Sequence, residues 1–383
     1  MIDADIIVVG CGGIGSAVAY WGARRGVSVL GFEQFGFGHD LGASHDHSRI
    51  IRLSYHTPHY VELSRLAYGA WETVESECGE ELVVRCGGLD LFPARCAIPP
   101  DDYRSSLAAC GVPFEWLDAI EIRARWPQFS IADDVRGLYQ EDGGIVAAAT
   151  AVAAHQRLAR DHGAELRDHA PARSVREVAG EVEVVVDGTA HRAGAVVIAA
   201  DAWVNSLLDA PLPITVLREQ VTYFESPAPE AFEIGRLPVW IWMDEPSFYG
   251  FPTYGEGACK IAQDCGGHTT TADGRSFDPD DAELARVDEF ARRLFGTAVG
   301  DQLVTRTCLY TLTPDRDLVL DRVPGCERVW VVQGAAHAYK FASVLGRLLV
   351  ECALDGDCTI DRQPFRIDRP ALTDPAFTPT WLV

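Results

Sequence analysis

Residues 5–33, DIIVVGCGGIGSAVAYWGARRGVSVLGFE, decide the fold. DIIVV (5–9) is a short apolar run of strand length, and it leads directly into a glycine string that opens a helical stretch. A second apolar run follows and ends on Glu33. The order strand, tight turn, helix, strand predicts a βαβ unit. Gly10, Gly12 and Gly15 form G-x-G-x-x-G, with Gly13 and Ile14 between them, and Glu33 lies 18 residues beyond Gly15. The glycines permit a tight turn and let a pyrophosphate approach the helix N-terminus, while the carboxylate can accept hydrogen bonds from an adenosine ribose. The unit predicts a dinucleotide site, without separating NAD from FAD.

Two further stretches repeat this kind of pattern. In 145–198, IVAAATAVAAHQRLARDHGAEL reads as helix, and EVEVVVDGTAHRAGAVVIAA reads as a hairpin followed by a buried strand. From 328, RVWVVQGAAHAYKFASVLGRLLVECAL reads as strand, glycine turn and helix. The intervening segments are richer in aromatics, prolines and alternating polar residues, as in VTYFES and SFYGFPTYG, and predict antiparallel sheet. The expected fold is α/β: a Rossmann-like domain in three pieces, 1–85, 140–212 and 306–383, interrupted by an α+β substrate domain, 86–139 and 213–305, built on an antiparallel sheet. The tail from Arg369 is expected to run extended over the surface.

With 383 residues, 48% of them apolar, the chain can bury a sizeable core without covalent staples. Its 11 cysteines are odd in number and scattered, with no CxxC pair and no Cys/His cluster at zinc spacing, so free thiols, a reducing compartment and no metal site are expected. The start carries Asp3 and Asp5 where a secretory signal would be basic, and no apolar run has membrane-spanning length, so cytoplasmic location without membrane contact is expected. A net charge of −23 repels nucleic acid. Lysine occurs only at 260 and 340, against 31 arginines. A retained lysine in such a chain suggests places where the planar fork of arginine will not serve.

GASHDHSRIIRLSY (42–55), FYGFPTYGEGACK (248–260), RTCLYTLTPDRDLVLD (306–321), GAAHAYKFASVLG (334–346) and FRIDRPAL (365–372) occur in this order. Together they resemble the monomeric sarcosine oxidase and N-methyltryptophan oxidase family of FAD-dependent amine oxidases, from about residue 5 to residue 372. The resemblance implies an FAD-binding domain of the glutathione-reductase type. It also implies oxidation of a secondary or cyclic α-amino acid, with hydride passing from the carbon next to nitrogen to flavin N5, and return of the electrons to O2 as H2O2. Cys308 matches the cysteine that carries the flavin as a thioether, which requires a site favouring the thiolate. Arg52 and Lys340 match the cations that hold the substrate carboxylate, and Lys340 also borders the cofactor. Lys260 matches the lysine that promotes reaction with oxygen, where a compact ammonium would stabilise superoxide.

Tyr249, Tyr310 and His337 match pocket residues in the same family. His45 and Arg49 match positions near the flavin ring, where a cation would favour the reduced cofactor. Gln34, Ser44, Ile50 and Gly334 complete the implied cofactor set. Asp264 departs from the family, which carries histidine there. Lying on the same strand face as Lys260, it is expected either to pair with that lysine or to face the substrate amine. Trp240, Trp242 and Met243 suggest a bulkier substrate wall, with Trp242 and Met243 as contacts. The partners expected are a small amino acid and O2, in a monomer or small homo-oligomer. An NAD-dependent dehydrogenase, or a flavin-binding subunit without catalysis, remain the alternatives.

Overall fold

The computed structural model describes residues 2–380. Strand Ala4–Val9 lies among the parallel strands of a mixed eight-stranded sheet, between Val29–Phe32 on one side and the second half of Thr189–Ile198 on the other. Glu165–Arg167 extends the sheet beyond Val29–Phe32, and Val329–Gln333 extends it beyond Val196–Ile198. The unbroken apolar run of the first strand follows from cover on both faces. Ile6 and Val8 pack with the helices Gly13–Arg24 and Ala342–Asp355, whereas Ile7 and Val9 face a separate core with Val182, Val184 and Ile198.

The hairpin and the buried strand expected at 181–198 are one continuous piece. Residues 181–186 and 189–198 turn through Asp187 and Gly188, both at positive φ (48° and 77°), a turn whose twist suits a two-residue hairpin. The second arm then runs on into the parallel sheet. The helix expected from 145 begins only at Ala148 and ends at Asp161. Its first apolar residues instead form strand Gly144–Ala147, which pairs with Ser48–Ile51 and Val83–Arg85. Ile145 and Val146 are β-branched, and the pleated surface accepts them better than a helix does. The tail is not wholly extended: Pro370 starts a short helix to Thr373, and Arg369 is fastened to Asp315 at 2.6 Å.

A second sheet of nine strands holds the segments expected to be antiparallel. Thr215–Phe224 pairs along most of Gln302–Leu312, so the domain boundary expected between 305 and 306 falls inside a continuous strand. The sheet is mixed. Val239–Trp242 runs parallel to Gly88–Phe92, because the chain returns to the edge of that strand through a long excursion rather than a hairpin. Helix Asp281–Phe295 covers one face with Val287, Phe290, Ala291 and Leu294, and Asp280 caps it by accepting the Ala282 and Glu283 N–H groups. All 11 cysteines are free thiols. Among the described residues no helix is long and apolar enough to cross a membrane.

Helices Gly13–Arg24 and Ala342–Asp355 approach so closely that a Cβ on Gly346 would lie 2.5 Å from Ala17 Cβ. Gly346→Ala should therefore lower stability by about 1–3 kcal/mol through overpacking, read as an earlier urea midpoint with an unchanged slope. An unaltered midpoint would show that the helices separate without cost.

Candidate active site

A cavity of about 730 Å3 begins at the glycine turn and reaches Lys340. At the nucleotide end, Gly10 sits at φ 89°, and a Cβ there would be 2.5 Å from the Ala199 carbonyl oxygen. A Cβ on Gly15 would be 1.7 Å from the Gly10 carbonyl oxygen, so glycine is required for the helix to pack on the turn. Gly12 precedes the helix and has no side chain to cap its first turn, so the N–H groups beyond Gly13 are left for an anion. Gly13 N–H donates to Ser44 Oγ at 2.9 Å. The Glu33 carboxylate accepts from the Cys11 and Phe35 N–H groups at 2.9 and 3.1 Å. Burial alone would raise its pKa, but these bonds and His39 outweigh burial and hold it below the usual range.

Further along, segment 43–49 folds around Arg49, whose guanidinium donates to the Ser48, Ala43 and His45 carbonyls. His45 does not supply the cation expected of it. Burial, with Arg49 nearby, lowers its pKa to about 4, and its Nε2 is buried without a partner. Arg49 alone is the charged member of that couple. Cys308 lines the same cavity. The expected bias toward thiolate is absent from the cavity itself: burial pushes the thiol up to about 11, and the nearby Arg49 charge offsets this only in part.

Lys260 is buried, donating to Asp46 Oδ2 at 2.9 Å and to the Ser48 carbonyl at 2.8 Å, with its ammonium 4.3 Å from the Phe251 ring centroid. Burial lowers its pKa to about 8, and Asp46 opposes that fall. Asp46, at φ 77°, also accepts from Tyr223 Oη at 2.7 Å and Arg306 Nη1 at 3.3 Å. Burial would raise its carboxyl, but Lys260 and Arg49 hold it well below the usual range. Sequence reasoning passed over Asp46, although an aspartate inside SHDHSR, beside two cavity residues, was its signal.

At the far end, Arg52 donates to Asp90 Oδ1 at 2.8 Å, and Asp90 also accepts from Ser54 Oγ. Lys340 Nζ has no hydrogen-bond or ion-pair partner among the described residues. Burial, then Arg52 and Arg316, lower its pKa well below the ordinary value. Asp264 does not pair with Lys260, but it does border the cavity. Its two oxygens take Arg316 Nη1 and Nη2 at 2.6 and 2.9 Å, because the turn after Leu312 brings Arg316 to it while Asp46 occupies Lys260. The His337 Nε2–H donates to the Arg316 carbonyl at 2.8 Å. Burial and the adjacent cations keep that imidazole neutral. Tyr249 and Tyr310 hydroxyls lie 3.2 Å apart, and burial raises both pKa values, so both remain proton donors.

Trp242 and Met243 are not cavity residues. Trp240 and Trp242 point to the helix-covered face, against Phe290, and Met243 is fully buried in the main core. Strand alternation turns Ile241 into the cavity instead. One group of potential metal ligands, His268, Asp280 and Glu283, occurs among the described residues. Asp280 already caps its helix and Glu283 pairs with Arg218, so neither carboxylate is spare.

The glycine cradle, the open helix end, the ionised Glu33 and the orphaned His45 Nε2 fit a bound flavin dinucleotide, and residues 5–352 match the family described as DAO, FAD dependent oxidoreductase. The chain belongs to this FAD-dependent oxidoreductase family. It is 34% identical to a monomeric sarcosine oxidase of Streptomyces avermitilis over 362 residues, covering 92% of this chain and 94% of that protein. It is 30% identical to an N-methyl-L-tryptophan oxidase of Yersinia pestis over 375 residues, covering 96% and 100%. NikD, an unusual amino acid oxidase essential for nikkomycin biosynthesis, superposes with a TM-score of 0.84 at 26% identity, covering 96% of this chain and 98% of its own. Membership in the family sets aside the NAD-dependent alternative. The FAD would be held by Gly10, Gly12, Glu33 and the 43–49 segment.

The Lys260–Asp46 pair is buried on both sides, with each side chain 3% exposed. Asp46→Asn leaves the ammonium without its counter-charge and should cost about 3–5 kcal/mol of stability. Combining it with Lys260→Met should recover most of that loss in a denaturation cycle. Additive losses would mean that the two groups do not compensate one another.

Proposed function

We propose that the protein oxidises an α-amino acid with a secondary or cyclic amine, using FAD attached through Cys308 and O2 as the acceptor. The observation that carries this reading is Lys340, without a hydrogen-bonded or ion-paired carboxylate and beside Arg52, in the cavity that begins at the glycine cradle. FAD, when bound, supplies an acceptor for hydride from a carbon next to nitrogen and a route for the two electrons to O2.

The protein's own residues select and orient. Lys340 and Arg52 hold the substrate carboxylate, and its arrival raises the Lys340 pKa and keeps that group charged. Tyr249 and Tyr310, both protonated, offer hydroxyls to the substrate end of the cavity. Neutral His337 and the surrounding burial favour an uncharged amine, the form from which hydride leaves. Lys260 provides the cation for charge arriving on oxygen, with Asp46 limiting its net field. Arg49 lies near enough to Cys308 to assist thiol ionisation once the cofactor excludes solvent.

The FAD-binding part is assigned to 1–85, 140–212 and 306–383, of the glutathione-reductase type, and the substrate part to 86–139 and 213–305. Strand Gln302–Leu312 is shared between the two and carries Cys308 across that join. Cytoplasmic location and a monomer or small homo-oligomer complete the assignment.

Incubating the flavin-loaded chain with a panel of N-methyl and cyclic amino acids should release H2O2 with at least one of them, at a rate that falls when Lys340 is replaced by Met. Flavin reduction without peroxide would remove O2 as the acceptor, and no reduction across the panel would favour a subunit without catalysis. Acid-precipitated wild type should stay yellow, and Cys308→Ala should lose the colour while keeping its fold, since one small thiol contributes little packing. A colourless wild-type precipitate rules out the thioether.

A further inference from the structure

We propose that the Asp264–Arg316 pair restricts the site to substrates with one carboxylate, rejecting amino acids whose side chain bears a second anionic group. The inference rests on the reading that Lys340 and Arg52 receive the substrate carboxylate, and it adds which side chains follow it into the cavity.

The charge balance at this end of the cavity is the basis. Three cations face it: Arg52, Arg316 and Lys340. Arg52 is matched by Asp90 at 2.8 Å, and Arg316 is matched by Asp264 through two parallel contacts of 2.6 and 2.9 Å. Among these three, Lys340 alone has no carboxylate in hydrogen-bond or ion-pair contact, although Asp264 and Asp90 act on it from farther off. The cavity therefore has one cation site without an anion seated on it, and one carboxylate, by restoring the Lys340 proton, fills it. A second carboxylate would have to approach Arg316, where both Asp264 oxygens are already seated.

The exposures sharpen this. Arg316 is 4% exposed and Asp264 20%, so the carboxylate is the more accessible member of the pair. A like charge brought against this buried pair is repelled and gives up hydration. The pair is also held in place from both ends. The Asp264 N–H donates to the Ser247 carbonyl at 2.9 Å, and the Arg316 carbonyl accepts from His337 Nε2–H at 2.8 Å. Rotating Arg316 toward a ligand would break a bidentate contact and leave Asp264 uncompensated. A neutral side chain carries none of these costs.

The test uses two ethers that cannot lose hydride from a carbon next to nitrogen, methoxyacetate with one carboxylate and oxydiacetate with two. Binding to the flavin-loaded protein is read by calorimetry and by the shift in flavin absorbance. Wild type should prefer methoxyacetate by about tenfold or more, the size of one uncompensated charge contact. Asp264→Asn should move the ratio toward oxydiacetate by about tenfold, because the carboxylate that repels a second anion is gone. Arg316→Gln should move it the opposite way, since Asp264 then repels without compensation. Opposite shifts from the two variants are a signature that general loosening of the site does not produce. Equal affinities in wild type, or a ratio that neither variant moves, overturns the proposal. If neither ether binds wild type, the carboxylate site at Lys340 and Arg52 is itself wrong, and the inference falls with it.

Discussion

Buried positive charge must be compensated, and that constraint organises the cavity. Arg49, Arg52, Lys260, Arg316 and Lys340 all border one cavity in a protein whose net charge is −23. Asp46 answers Lys260 and Arg49, Asp90 answers Arg52, and Asp264 answers Arg316. Each carboxylate comes from a different segment, so the pairs also tie the 43–52 segment to both neighbouring parts of the second sheet. An isolated ammonium in such surroundings gives up its proton readily, as the lowered Lys340 pKa shows. The one cation left without an anion is the natural receptor for a ligand's carboxylate.

The scaffold permits this arrangement by making the cavity wall from parts that cannot easily shift. Strands of both sheets converge on it, and the close helix contact at Gly346 and Ala17 holds the glycine turn against the last strand–helix unit. That unit carries His337 and Lys340 at the start of its helix, so the helix packing that sustains the cofactor cradle also sets the position of the carboxylate receptor. Stability and ligand selection are coupled through the same contact. Arg49 and Cys308 both line the cavity, and Cys308 belongs to the second sheet, so covalent attachment, as proposed, would staple that sheet to the cofactor.

Much of this was legible from residues. The βαβ unit was readable because its glycine spacing, apolar runs and terminal carboxylate are local features with one geometric solution. The family motifs carried Cys308, both lysines, Arg52 and the two tyrosines into a single cavity, and their side chains do meet there. Where reading by pattern failed, the cause was competition between neighbours in space. Ile145 and Val146 joined a strand because Ser48–Ile51 and Val83–Arg85 offered edges, which no local propensity could reveal. Trp242 and Met243 looked like pocket wall because size was visible and facing direction was not.

The sequence by itself determined a dinucleotide cradle, a second sheet, and which residue types could do chemistry, since these follow from spacing along the chain. Only the tertiary structure decided the partners of the charges. Asp264, expected at Lys260 or facing the substrate, borders the cavity and pairs with Arg316, while Asp46, unremarked in the sequence, holds Lys260. Such pairings span 52 and 214 residues of chain. Coulombic energy depends on distance and on burial, and neither quantity exists until the sheets close around the cavity.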